Sequence, residues 1–131
     1  MLSRSDLRAI ARARLKDGQA LFRARRYDGA IYLCGYAVEC SLKARICNAL
    51  HWSGFPSTQK EFSRFSSFRT HDLDTLLTLS GREAKIKARH LAEWSEASQW
   101  QPEVRYNKIG QVTRREAMEM IRAVESLLTV L

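Results

Sequence analysis

Tyr27-Asp28-Gly29-Ala30-Ile31-Tyr32-Leu33-Cys34-Gly35-Tyr36-Ala37-Val38-Glu39-Cys40-Ser41-Leu42-Lys43-Ala44-Arg45-Ile46 is the stretch that decides the fold. Ala30, Leu33, Cys34, Ala37, Val38, Ser41, Leu42 and Ile46 recur at the i, i+3, i+4, i+7 spacing of one helix face. Asp28 stands where an N-cap is wanted. Gly35, Ala37 and Ala44 are small enough to let a neighbouring helix come close. A second line, Tyr32, Tyr36, Glu39 and Lys43, runs beside the stripe, with Glu39 and Lys43 in the favourable order for an i, i+4 ion pair. At about 1.5 Å per residue this helix is roughly 30 Å long, enough to span a small bundle.

Working outward, the preceding segment reads as a first helix. Ser3 or Ser5 is its N-cap, Asp6 lies in its first turn, and Leu7, Ile10, Ala11, Leu15, Gly18 and Phe22 form its inward face. Arg4, Arg8, Arg12 and Lys16 make a ladder on another face. Like charges at i, i+4 oppose helix formation by a few tenths of a kcal/mol per pair. The ladder therefore does not help the isolated helix: it is used by something outside the helix, neutralised by neighbouring acids, or simply a solvated face. Residues 1–26 hold eight Arg or Lys against two Asp, so they carry +6 of the chain's net +8. A basic face of this kind attracts phosphates or an acidic partner.

On the C-terminal side the helical pattern breaks from Trp52 to Arg69. Gly54, Pro56, five serines and Phe55, Phe62, Phe65 and Phe68 predict a long loop tacked down by its aromatics. His71-Asp72-Leu73-Asp74 opens a short third helix that Gly81 stops. A fourth helix is expected over residues 82–98, with Ile86, Leu91, Trp94 and Ala97 inward and His90 in its middle. Residues 100–109 read as irregular. Thr113 and Glu116 then form a capping box for a last helix whose apolar face is Ala117, Met120, Ile121, Val124, Leu128 and Leu131. No stretch reads as a strand. The expectation is an all-α chain: one domain over residues 1–131, an up-and-down bundle of four main helices plus one short one.

With 131 residues, 45% apolar and 27% charged, the chain is long enough to bury a core without disulfides or metal. No apolar run nears the roughly 18 residues of a membrane span, and no signal-peptide pattern follows the first methionine, so a cytoplasmic protein away from membranes is expected. Cys34, Cys40 and Cys47, six and seven residues apart, fit no zinc spacing and read as half-buried structural thiols. Neither a metal nor a cofactor is expected. His51, near the end of the second helix, suits a cap against the helix dipole. Tyr32, Tyr36, Trp94 and Trp100 are candidates for base stacking, although aromatics at helical spacing more often belong to the core.

The quoted stretch, with its small residues, Ala37-Val38-Glu39 and Leu42-Lys43-Ala44, resembles the second helix of HEPN domains. Two further landmarks follow in the family's order: His71-Asp72-Leu73 opening a helix, and Arg105-Tyr106 before the last one. The resemblance implies a four-helix bundle, often dimeric, and frequently encoded beside a small nucleotidyltransferase in toxin–antitoxin fashion. Some members cut RNA without metal; others bind nucleotides or act as non-catalytic partners. The family's nuclease pattern is Arg, a polar residue, a few more positions and His. After Arg105-Tyr106-Asn107 no histidine occurs through residue 131, so that pattern is not intact here.

Three functions are therefore weighed. The first is a non-catalytic or weakly catalytic module that associates with nucleotide or RNA and with a nucleotidyltransferase, through Glu39, Lys43, His71, Arg105 and Tyr106. These residues are expected to converge between the second helix and the loop before the last. The second is a structural homodimerisation domain without ligand. The third is a metal-independent ribonuclease using Arg64 and His71, which have the right spacing. There the histidine would move the proton of the ribose 2′-hydroxyl while arginine stabilises the phosphate.

Overall fold

The computed structural model describes all 131 residues and is an all-α helical bundle. Three long helices dominate: α1 (Arg4–Arg23), α2 (Tyr27–Ala49) and α7 (Arg114–Val130). Between α2 and α7 lie four short ones, α3 (Gln59–Phe62), α4 (Leu73–Leu79), α5 (Glu83–Arg89) and α6 (Leu91–Ala97), and two 3₁₀ turns at Ser66–Phe68 and Pro102–Tyr106.

The helix ends follow from local side-chain chemistry. Ser3 Oγ accepts from the Asp6 N–H at 3.0 Å and starts α1. Asp72 accepts from the Thr75 N–H and starts α4. Thr113 and Glu116 form the reciprocal capping box of α7. Helices α1 and α2 both end in a left-handed residue, Arg25 (φ 61°) and His51 (φ 55°). In each case the following N–H returns to the helix: Arg26 to the Leu21 carbonyl and Trp52 to the Cys47 carbonyl, each at 2.8 Å. His51 thus turns the chain out of α2 by its backbone; it does not act as a side-chain cap.

Helix α2 lies at the centre. Its stripe is buried as expected except for half-buried Leu33. However, Gly35, Glu39, Ala44 and Cys47, which lie off the stripe, are buried too. The amphipathic reading is corrected accordingly: α1, α7, α4 and the Pro102–Tyr106 turn all pack on α2, so its apolar residues run round the helix. Cys34 and Cys47 are fully buried, not half-buried, and burial pushes the Cys34 thiol up to about 12 and the Cys40 thiol to about 11. These thiols are filling, not chemistry.

Several expected elements differ. Asp28 does not cap α2, whose N-cap position is Arg26. Instead its carboxylate accepts from the N–H groups of Gly110 (2.8 Å) and Val112 (3.3 Å), tying the segment before α7 to the first turn of α2. The helix expected over 82–98 is broken at His90, which leaves helical geometry (φ −136°, ψ 35°). The break re-aims α6, so that Trp94 donates to Asp74 at 2.9 Å while Leu91 turns outward, 56% exposed. The long loop contains α3, held by a Thr58–Glu61 capping box, and its aromatics do pack: Trp52 lies 5.0 Å from both Phe65 and Phe68. A two-residue antiparallel pairing of Leu2–Ser3 with Gly54–Phe55, too short to leave any alternating pattern, is the single departure from all-helical structure. No helix is long and apolar enough to cross a membrane.

The α1–α2 crossing has no spare volume. A Cβ on Gly18 would lie 2.5 Å from Cys34 Sγ and 3.2 Å from the Ala30 carbonyl oxygen. Gly18→Ala should therefore lower stability by about 1–3 kcal/mol in urea unfolding, although alanine is the better helix former. A neutral or stabilising result would mean that the two helices are not packed this closely.

Candidate functional site

On one side of α2, Tyr32, Tyr36, Glu39 and Lys43 fall in a row because residues three and four apart share a helix face. Glu39 is the bundle's buried charge, 3% exposed. Its Oε1 accepts from Lys43 Nζ at 2.7 Å, the i, i+4 pair read from the sequence. His71, two residues before α4, brings its Nδ1 to 3.0 and 3.1 Å from the two oxygens of the same carboxylate. Beside a lysine the carboxylate is ionised and can only accept, so His71 Nδ1 carries the proton. Nε2 is left at the surface on a side chain 58% exposed.

The aromatic residues continue the row. Tyr36 packs edge-on against Tyr32 (5.2 Å between centroids), Trp100 (4.9 Å) and His71 (6.4 Å). Burial, then Tyr32, then the Glu39 charge push the Tyr36 phenol up to about 12, against a lowering by Arg105. Tyr36 thus feels both ends of the set. Arg105, at the end of the Pro102–Tyr106 turn, lies over the Tyr106 ring at 4.8 Å. The neighbouring Tyr106 and Tyr32 favour its charged form.

Of the residues singled out in the sequence, Glu39, Lys43 and His71 form one bonded cluster. Arg105 and Tyr106 stand at the other end of the tyrosine row, and no hydrogen bond or ion pair links Arg105 to Glu39. Arg64 is exposed between α3 and the Ser66–Phe68 turn, and it makes no hydrogen bond or ion pair, to His71 or any other residue. Trp94 and Trp100 are buried at 2% and 3% and are core residues, not free stacking platforms. Trp100 lies directly on Gly35, where a Cβ would fall 2.1 Å from the indole ring.

Sequence reading missed a neighbouring cavity of about 410 Å³, bounded by Tyr32, Trp100, Val104, Arg105 and Met120, with Glu96 in its wall. Burial, then Glu119 and Glu116, raise the Glu96 carboxyl above its usual range. Its walls come from α2, α6, the Pro102–Tyr106 turn and α7, so no local pattern announces it. Nowhere do three His, Cys, Asp or Glu side chains gather as metal ligands. What the arrangement offers is a tyrosine edge with one oriented imidazole and one cation free of an acid partner, Arg105: Glu39 matches the Lys43 charge, and Asp28, Glu96 and Glu116 stand in the cavity wall with Arg105.

No family model, no curated protein and no solved structure matches the chain.

Glu39 holds two partners that have no other acid. Glu39→Gln should cost about 1.5–3 kcal/mol of stability, and in NMR spectra the His71 ring signals should move with it. A variant as stable as the parent, with unmoved imidazole shifts, would mean that the cluster is not formed in solution.

Proposed function

We propose that this chain is a HEPN-like module, non-catalytic or weakly catalytic, that associates with nucleotide or RNA on the face carrying Tyr32, Tyr36, Lys43, His71, Arg105 and Tyr106. The observation that carries the reading is Arg105. It is an exposed guanidinium with no acid partner, braced over a tyrosine at the mouth of a cavity of about 410 Å³, within the size range of small-molecule sites. Guanidinium takes phosphate by paired N–H donors, and flanking tyrosines suit a base. The sequence likeness to HEPN domains supports the same ligand class and a small nucleotidyltransferase as protein partner, in a toxin–antitoxin setting. A homodimer or that partner would cover the exposed Ile109 beside this face.

Single-stranded RNA binding should weaken several-fold in Arg105→Ala. The slope of log affinity against log salt should become shallower by about 0.7, one phosphate contact on a single strand. Fluorescence anisotropy across a salt series reads both. Unchanged affinity and slope would remove Arg105 from any binding role and the reading with it.

One observation favours a second reading, a metal-independent ribonuclease: a buried carboxylate fixes the His71 tautomer and presents Nε2 outward, as a general base requires. Arg64 makes no hydrogen bond or ion pair with His71, so its part in that version rests on their spacing in the sequence. On this reading purified protein cleaves RNA in EDTA and His71→Ala abolishes the cleavage. Absence of cleavage by the parent protein discards the nuclease and leaves the binding module.

A further inference from the structure

On the opposite side of α2 from Glu39, the structure assembles a cationic site. Successive residues turn by about 100°, so Ser41 and Arg45 project away from the Tyr32–Glu39 row. There they meet Arg8 and Arg12 of α1 and Leu128, Thr129 and Leu131 of the last helix and its end, around a cavity of about 210 Å³. No Asp or Glu side chain lines it or pairs with Arg8, Arg12 or Arg45; the one acceptor that Arg45 shares with the cavity wall is the main-chain oxygen of Leu131. Arg4, the first rung of the ladder, is diverted to Asn48 at 2.6 Å, and Lys16 does not reach the cavity.

We propose that Arg8, Arg12, Arg45 and Ser41 bind a phosphate group in this cavity. Arg45 is anchored by donating Nε to the main-chain oxygen of Leu131, a carboxylate oxygen where Leu131 ends the chain, and Nη2 to the Val130 carbonyl, which fixes its fork and leaves further N–H groups free. Burial, and then the charges of Arg82 and Arg8, work against the Arg45 cation. A bound anion relieves that crowding. Ser41 is 7% exposed, and its hydroxyl, which makes no hydrogen bond within the protein, opens onto the cavity among the guanidinium groups. Guanidinium forks match phosphate oxygens in pairs, and a hydroxyl adds a neutral donor. The cavity is smaller than the roughly 300 Å³ of drug-sized sites, so it suits the phosphate itself and little of what carries it. The carrier is either a small phosphorylated molecule or the 5′ end of an RNA.

The test is calorimetric titration of the full chain with inorganic phosphate at constant ionic strength. Saturable binding is expected. It should fall about tenfold or more in Arg8→Gln and in Arg12→Gln, and about tenfold in Ser41→Ala. His71→Ala should bind phosphate like the parent, which separates this site from the one on the other face. Arg8 and Arg12 are exposed and carry no structural partner, so their variants should keep the parent's melting temperature. No binding beyond that of chloride, or equal binding by the Arg8→Gln/Arg12→Gln double variant, overturns the proposal. A preference for 5′-phosphorylated over 5′-hydroxyl oligoribonucleotide supports an RNA end as the carrier. Indifference between the two, with phosphate still bound, supports a small molecule.

Discussion

Helix α2 is packed round most of its circumference, and the rest of the molecule is shaped by that constraint. A helix enclosed this far cannot keep large residues wherever a neighbour crosses it. The crossing with α1 is therefore made at Gly18 against Cys34, and the approach of Trp100 at Gly35. Each contact brings a flat or narrow surface onto bare backbone, where side-chain packing would hold the elements farther apart. The price of the second contact is visible: the Trp100 indole N–H is buried without a partner, a desolvation penalty of about 1–3 kcal/mol. That it is tolerated indicates how much burial the ring brings, since it closes the gap between α2, the Pro102–Tyr106 turn and Tyr36.

The same constraint explains the candidate site. A carboxylate in the middle of an enclosed helix is destabilising unless it is fully paired. Glu39 meets this with one partner from its own helix and one from a different segment, Lys43 and His71. The local partner is available as soon as the helix forms. The distant one arrives only when the segment before α4 docks, so the buried charge also selects the docking of that segment. As a consequence His71 is held with one nitrogen turned inward and the other presented to solvent.

How much of this was legible in the sequence depended on the range of the interactions. Ser3, Asp72 and the Thr113–Glu116 box act within four residues, and each does what its position announces. Glu39–Lys43 is likewise local. Asp28 has the composition of a cap, yet its carboxylate is claimed by backbone N–H groups more than eighty residues away, which no local pattern encodes. The break at His90 contains neither glycine nor proline. It serves the Trp94–Asp74 bond between α6 and α4, a tertiary gain that overrides a sequence compatible with one continuous helix. The convergence of His71 on Glu39 is what the resemblance to HEPN domains implies, whereas the separation of Arg105 along the tyrosine row is not. Arg45 was silent altogether: an arginine on a helix acquires meaning only when α1 and the end of α7 close around it.

The charge distribution gains its sense from the geometry of α2. Read along the chain, the arginine ladder of α1 and the polar row of α2 seem to belong to one basic surface. In space they lie on opposite sides of a helix that, with its side chains, is about 10 Å across, and other helices pack around it. A single phosphate cannot touch both. The positive charge of α1 therefore does not assist Arg105 or His71 at contact range. At physiological salt the screening length of about 8 Å removes most of any longer-range help. A ligand that engages both groups must be long enough to travel round the bundle, or must bridge two copies of it. A mononucleotide is neither. Two anion-attracting surfaces separated by a largely enclosed helix fit an extended polyanion or two independent ligands, and for either of these the backbone of α2 is the spacer that sets the distance.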